Sequence, residues 1–406
     1  MDIARFWQLY GEAAKTSIGF FWKSGWAFVF GYFISAMIQA FVPKKKLTAQ
    51  MGKAGVKSVS LATVFGAASS SCSFAALAAA RALVQKGAHF IAAVAFMFAS
   101  TNLVIELGVL ILIFLGWQYL AAEVIGGLVL IALSSMLIHL TYPKKWIDEA
   151  REKIAGEGDE EEEFDWRKRI QSRAGWYLVG KKFGDDWAMV WEEILIGFTV
   201  AGFVAVLVPA SFWAAIFLVG LEGDLPSWLI ALENAMVAPF VAAATFIGSM
   251  GNIPLATVLN ANGVLFAGIM GFIYSDLMVP PLVQVNAKYY GWKVALYIAG
   301  IMYVSIVATA LILDSAFTVF GVVPEGRKAV SDIAQFKLDY TFWMNLASVA
   351  VVFTMAAFRR KHRQLQQGPG HEHTHGSGGV SVKRAAAYLC VLLLAGGLVA
   401  FSFTGQ

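Results

Sequence analysis

Charge and cysteine are scarce in this chain. Charged side chains make up 14% of its 406 residues, too few to cover a water-soluble fold of that size. Its two cysteines, Cys72 and Cys390, stand far apart in different apolar segments, which excludes a disulfide framework and any CxxC redox or zinc site. No GxxxxGK[ST] stretch occurs, so the chain carries no phosphate-cradling loop of that kind. The N-terminal segment lacks a short apolar core followed by a small-residue cleavage site, so no removable signal peptide is expected. The formal net charge of +4 has its basic part mostly in loops, where it reports membrane orientation and gives no footprint for a nucleic acid.

What the chain has in abundance is apolar surface: 58% of residues are hydrophobic and the mean hydropathy is +0.66. Runs of about 20 residues, enough to cross a hydrocarbon core of roughly 30 Å, recur at Phe20–Val42, His89–Leu115, Tyr119–Leu140, Trp191–Val219, Val264–Val285, Val294–Leu313, Phe342–Phe358 and Ala385–Phe403. Two more apolar segments, Val59–Val84 and Trp228–Asn262, are interrupted by polar or Gly/Pro clusters. The expectation is an all-α polytopic membrane protein of about eight full spans plus two re-entrant or broken-helix hairpins, or about ten spans if the hairpins cross. Ile3, Phe6, Trp7, Tyr10 and Ala14 fall at helical spacing and suggest an interfacial amphipathic helix over residues 1–19.

Positive charge near span ends marks the cytoplasmic side. "PKKKLTAQMGKAGVKS" after the first span, "AKYYGWK" with Lys288 and Lys293, and "RRKHR" at Arg359–Arg363 all read as inside, while Glu222–Pro226, without Lys or Arg, reads as outside. The central loop, residues 142–190, mixes "EGDEEEEFD" with Lys144, Lys145, Arg151, Lys153, Lys181 and Lys182 beside the spans. Acidic residues weigh little in the rule, so this loop belongs inside too. It lands there only if Val59–Val84 enters and leaves by the same face, and the same logic makes Trp228–Asn262 a hairpin from the outside. The plan is therefore an inverted repeat: residues 20–141, then 191–315 upside down, with the charged cytoplasmic loop between them. Residues 316–406 would supply an extracytoplasmic loop, two terminal spans and a His-rich cytoplasmic loop. A sequence echo supports the repeat: "SSSCSFAAL" and "GSMGNIPLA" are followed by Gly87 or Gly263, then Phe96 or Phe272, then Ser100 or Ser275.

Backbone that leaves helical geometry at membrane depth is tolerated only where protein or water surrounds it. Interrupted helices in corresponding positions of two inverted halves point to a midplane binding site. The expected tips are Ser69–Ser73 and Gly248–Pro254. Single serines in membrane helices are explained by close packing, but the polar run from Ser69 to Ser73 asks for a lining role. The spans after the tips carry the other polar groups. Asn102 and Glu106, four residues apart, are expected on one helical face, and Ser275 and Asp276 precede Pro280 and Pro281, where the helix must kink or break. The substrate-binding set expected from this pattern is Ser70, Ser71, Cys72, Ser73, Ser100, Asn102, Asn252, Ser275 and Asp276. Glu106 and Asp276, membrane carboxyls and functional candidates for that reason, are the expected carriers of a coupling proton. His371, His373 and His375 in "HEHTHG" have spacing suited to weak capture of a metal such as zinc in a cytoplasmic loop. His89 and His139 read as interfacial, and no cofactor is expected.

These residues resemble the predicted bacterial permeases that include the organoarsenical efflux permeases of ArsP type. In that group a Cys-Ser-Cys-like tip precedes a small-residue half-helix, a glycine and a span with a Thr/Ser-x-Asn-like element. "SSCSFAALAAARALVQKG" with "FASTN", and "GNIPLATVLNANG" with "YSDLMVPP", look like the two halves of it over most of residues 20–315. The resemblance implies movement of a small solute across a bacterial inner membrane by alternating access, with efflux and a secondary gradient as the expected mode. One position departs: the first tip cysteine corresponds to Ser70, leaving Cys72 alone, whereas a trivalent arsenical is held best by two or three soft thiolates. Expected partners are a small molecule or metalloid, the lipid bilayer, and a second copy or a partner subunit docked on the charged loop. The competing class is an intramembrane enzyme with Cys72 as nucleophile, which needs a base within hydrogen-bond reach; no histidine sits at mid-membrane in this topology.

Overall fold

The computed structural model describes residues 3–41, 51–52, 55–69, 73–154, 166–221, 223–245, 247–324, 330–333, 335–366 and 382–404. In chain order the helices are α1 (Ile3–Phe41), α2 (Val56–Ser69), α3 (Ser73–Gln85), α4 (Phe90–Asn102), α5 (Ile105–Phe114), α6 (Trp117–Thr141), α7 (Lys144–Ile154), α8 (Trp166–Gln171) and α9 (Arg173–Leu207). They continue with α10 (Ala210–Ile216), α11 (Ser227–Thr245), α12 (Ser249–Ala261), α13 (Phe266–Ile273), a 3-10 turn Asp276–Met278, α14 (Pro280–Tyr290) and α15 (Trp292–Val319). The last three are α16 (Val330–Ile333), α17 (Tyr340–Gln366) and α18 (Val382–Thr404). Among the described residues 8 helices, counting α4 and α5 as one, are long and apolar enough to cross a membrane, and the chain is a polytopic membrane protein.

The interrupted segments behave as hairpins. At 14 and 13 residues, α2 and α3 reach only about 20 Å each at 1.5 Å per residue, short of a hydrocarbon core. The His89 backbone N–H donates to the Met51 carbonyl at 2.8 Å, so the chain that leaves Met51 returns to the same level before α4 begins. Phe65 then meets Phe96, with ring centroids 5.5 Å apart, and Ser69 meets Ser100 at 3.1 Å. Both pairings advance in step, so α2 and α4 run parallel, with α3 as the return limb.

The second half repeats the order of the limbs but not their lengths. α11, at 19 residues, is one of the 8 helices long enough to cross, whereas the span expected at Val264–Val285 is broken into α13, the 3-10 turn and α14 and is not among them. α11 and α13 run parallel, because Asn234 lies beside Leu265 while Ala235 and Ala238 lie beside Gly271, and α12 is the return limb. Each return limb ends in a glycine with positive φ, Gly87 at 92° and Gly263 at 93°, a conformation that residues with a Cβ seldom adopt. The fully buried Asn234 holds the second turn in place: its Nδ2 donates to the Phe217 and Ile230 carbonyls at 2.7 and 2.9 Å, and its Oδ1 accepts the Leu265 N–H at 3.1 Å. Asn234→Leu is expected to destabilise the protein by about 3 kcal/mol, since it removes these bonds and strands the Leu265 N–H. Thermal unfolding in detergent, compared with wild type, measures the loss.

The two halves pack upside down on each other. α1 and α9 are antiparallel: Tyr10 meets Phe203, Phe20 meets Phe198, Tyr32 meets Trp187 and Phe41 meets Trp176. Segments read as cytoplasmic share one face, where His89 stacks on Tyr142 at 5.5 Å and Thr141 bonds Tyr297 at 2.7 Å. At the other end Tyr119 donates to Asn260 at 2.9 Å, beside the start of α6 and the end of α12. α17 and α18 flank the α1–α9 pair; Asn345 of α17 holds Trp22 and Trp26 of α1, and Tyr10 donates to the Leu393 carbonyl of α18.

Several expectations are refined. α1 runs from Ile3 without a break at residue 19, so the residues read as an interfacial helix and the first span form one rod. The span expected at His89–Leu115 is broken: Leu103 and Val104 leave helical geometry, with Val104 extended at φ −98° and ψ 145°. Asn102 therefore ends one helix and Glu106 begins the next, and they do not share a continuous helical face. The tip read as Gly248–Pro254 is narrower, because Ser249 to Pro254 already lie in α12 and Gly248 is its extended N-cap.

Candidate functional site

Both return limbs begin on a serine, and the two serines meet. Ser73 opens α3 and Ser249 opens α12, 176 positions later; both are buried, with hydroxyl oxygens 3.5 Å apart. Gly87 and Gly263, and Phe96 and Phe272, keep that same spacing. The Ser73 hydroxyl donates to Asp276 Oδ2 at 3.1 Å. Asp276 sits in the 3-10 turn where the second broken span comes apart. The helix stops there because Pro280 and Pro281 occupy the first positions of α14 and Val279 before them is extended, at φ −61° and ψ 138°. The backbone N–H groups that open a helix carry the positive end of its dipole. Two such ends thus converge on one fully buried carboxyl group. Among the described residues, Asp276 Oδ1 has no hydrogen-bond partner, which leaves a buried acceptor at the site.

The rim is polar and charged. Asn252 accepts from the Thr245 hydroxyl and donates to the Ile247 carbonyl, both at 3.3 Å, so it ties down the backbone leading into α12. A Cβ at Gly248 would stand 2.9 Å from Glu193 Oε2, so glycine there lets the tip approach the Glu193 carboxylate of α9. Glu193 pairs with Lys383 of α18 at 2.5 Å, and the Lys383 ammonium lies 5.1 Å above the Phe74 ring beside the first tip. Arg384 pairs with Glu192 at 3.0 Å.

The first repeat has a different centre. Ser100 bonds Ser69, whose carbonyl accepts from Ser35 of α1 at 3.2 Å. Gln39 donates to Ser35 at 3.1 Å and to Asp186 of α9 at 2.7 Å. A file of buried and half-buried polar groups thus leads from the first tip along the α1–α9 pair, away from Ser73 and Asp276. Asn102 spends its amide N–H groups on the Phe98 carbonyl and Thr101, while its Oδ1 has no partner among the described residues. Glu106 is buried against α1, where a Cβ at Gly31 would stand 1.9 Å from its Cγ.

Of the residues expected from sequence, the structure brings Ser73 and Asp276 together and places Asn252 on the rim. Ser100 belongs to the first-tip network, Asn102 and Glu106 lie on opposite sides of a helix break, and Ser275 turns its hydroxyl back to the Gly271 carbonyl of its own helix. Ser70, Ser71 and Cys72, and His371, His373 and His375, lie outside the described residues. Among those described, no group of three or more His, Cys, Asp or Glu is placed to hold a metal ion. Sequence reasoning missed Ser249, Glu193, Lys383, Asp186 and Glu123. The constant spacing of 176 between the halves pointed to Ser249, and the position of Glu123 and Glu193 inside expected spans was itself a signal; Lys383 and Asp186 had no local signal.

A membrane-embedded bundle in which two broken-helix hairpins meet at a buried carboxyl has the build of a permease. The comparisons agree. The family ArsP_1, described as "Predicted permease", matches residues 9–315, and the chain belongs to that family. It is 34% identical over 353 residues to the Mycobacterium tuberculosis protein named "Putative permease Rv2963", covering 82% of this chain and 86% of the relative. No solved structure matches the chain. The family match ends before α17 and α18, so Lys383 and Arg384 reach the rim from outside it.

Proposed function

We propose that the protein moves a small solute across the bacterial inner membrane by alternating access, with the solute held between the two hairpin tips, and that it works as an exporter driven by a secondary gradient. The observation that carries this is the meeting of Ser73, Ser249 and Asp276. Each repeat contributes the start of one broken helix, and a rocking of one repeat against the other changes which side of the membrane reaches the carboxyl between them. The candidate binding set is Ser70, Ser71, Cys72, Ser73, Asn252 and Asp276, with Ser100, Asn102 and Ser275 in the surrounding networks. Asp276 and Glu106 are the candidates for carrying a coupling proton.

The family name and the thiol at Cys72 favour a soft metalloid such as a trivalent organoarsenical. The test uses methylarsenite and everted membrane vesicles energised with a proton gradient. Expected is uptake that stops on addition of a protonophore and falls about tenfold or more in Cys72→Ala, the scale of losing one strong ligand contact of about 1.4 kcal/mol. Absence of uptake by the wild-type protein would remove the metalloid, and uptake unchanged by Cys72→Ala would remove the thiol from the site.

A further inference from the structure

A second buried acid lies beside the site and takes no part in the account above. Glu123, on α6, is 1% exposed, and among the described residues neither of its carboxyl oxygens has a hydrogen-bond partner. It lines a groove with a volume of about 390 Å³ at the break between α4 and α5, together with Asn102, whose Oδ1 is also unpartnered. The outer wall of this groove includes Leu112, Val124 and Leu128, apolar side chains 44–51% exposed on the outside of the bundle, so it opens towards the bilayer and not towards either aqueous loop.

The groups around Glu123 supply no positive charge. α4 has no ionisable side chain, and α5 offers only Glu106, which is packed against Gly31 of α1. On the α13 side, two residues before Asp276, stands Tyr274, whose hydroxyl donates to the Ala122 carbonyl at 2.8 Å. α15 carries Asp314, which accepts the Ala267 N–H, Tyr303, which donates to the Met236 carbonyl, Tyr297, bonded to Thr141, and Lys293 at its cytoplasmic start. Asp276 in turn faces Ser73, Ser249 and the Glu193 carboxylate. The buried face of α15, which packs against the Asp276 turn, adds Ser305 and Thr309, two more hydroxyls without partners among the described residues. Clustered orphan polar atoms mark room for water or a ligand.

We propose that Glu123 is a proton-binding carboxylic acid whose proton is exchanged through the bilayer-facing groove. A carboxyl group buried in a membrane bundle with both oxygens unpartnered among the described residues is a functional candidate, and the groove gives its proton a path to the outside of the bundle. This deepens the permease reading by adding a proton-binding group beside its central site, but the acid can be detected without any solute.

The probe is N,N′-dicyclohexylcarbodiimide, an apolar reagent that enters from the lipid. The O–H of a protonated carboxylic acid adds across it, and the adduct rearranges to a stable acylurea with no leaving group. The full chain in liposomes is labelled over a pH series and the modified residue located by peptide mass spectrometry. Expected is modification at Glu123 that declines as the pH rises, because only the protonated acid reacts. Glu123→Gln should lose the label; should that variant fail to insert, site mapping in the wild-type chain still decides. No modification at Glu123 at any pH, or a label that does not change with pH, overturns the proposal. Failure of solute uptake by wild-type vesicles would instead strike the transport reading and leave the labelling result standing.

Discussion

Asp276→Asn is expected to cut transport by about 10- to 100-fold while the protein still inserts and unfolds at nearly the wild-type temperature. The asparagine side chain keeps the shape and one acceptor for the Ser73 hydroxyl, now 3.1 Å from Oδ2, so the meeting of the two tips is preserved. What is lost is the ability to carry a charge or a proton where two half-helix N-termini converge. A hydrogen bond to a charged group is worth about 1.5–3 kcal/mol, and each 1.4 kcal/mol is about tenfold in binding or rate. Initial rates in energised vesicles at several imposed proton gradients provide the check. A variant that transports normally and still responds to the gradient would take Asp276 out of both roles. Ser73→Ala, which leaves the carboxyl but removes its donor, should give a smaller loss of about fivefold to tenfold, in line with a net hydrogen-bond contribution of about 1 kcal/mol.

The largest structural effect is expected at Gly66. A Cβ there would stand 2.5 Å from the Phe96 carbonyl oxygen and 2.8 Å from the Ala99 Cβ, so α2 lies directly on the backbone of α4. Backbone cannot swing aside as a side-chain tip can. Gly66→Leu must therefore push the first hairpin away from the span it leans on, at a cost of about 3 kcal/mol or more for an overpacked site. It should also pull Ser69 from Ser100 and disturb the tip, so transport falls together with stability. Gly300→Leu, on α15 with nothing within 4 Å of its added Cβ, is the matched control and should leave thermal unfolding within about 0.5 kcal/mol of wild type. Equal behaviour of the two variants would show that the hairpin does not rest on α4 as described. Gly197 and Gly251 make the corresponding close approach in the other half, where α9 meets α12: a Cβ on Gly197 would stand 2.5 Å from the Gly251 Cα.

Much of the architecture was legible because its causes are local. The length of an apolar run states whether a helix can cross a bilayer, and lysines at its ends state which way it points. Those two signals required Val59–Val84 and Trp228–Asn262 to return to the face they entered, as the Met51 to His89 bond and the position of Leu265 beside Asn234 now show. Pro280 and Pro281 announced the break at which Asp276 sits, since a proline ring blocks the preceding helix whatever surrounds it. The break after Asn102 had no such marker. "STNLVIELG" contains neither proline nor glycine at the break, and Leu103 and Val104 leave the helix without a residue that compels it.

By itself, then, the sequence determined a polytopic membrane protein, seven of the eight helices long enough to cross, the two interrupted hairpins and one membrane carboxyl at a helix break. Periodicity, run length, charge and proline geometry act over neighbouring residues and can be read from them. Only the tertiary structure decided that Ser73 meets Ser249, that both face Asp276, that Lys383 reaches Glu193 beside the tips, and that Glu123 is buried next to a groove with no partner among the described residues. Those contacts join residues up to 203 positions apart, across halves that run in opposite directions through the membrane. The side of a helix that turns inward is set by what packs against it, and in a bundle apolar on every face the sequence holds no stripe to mark that side.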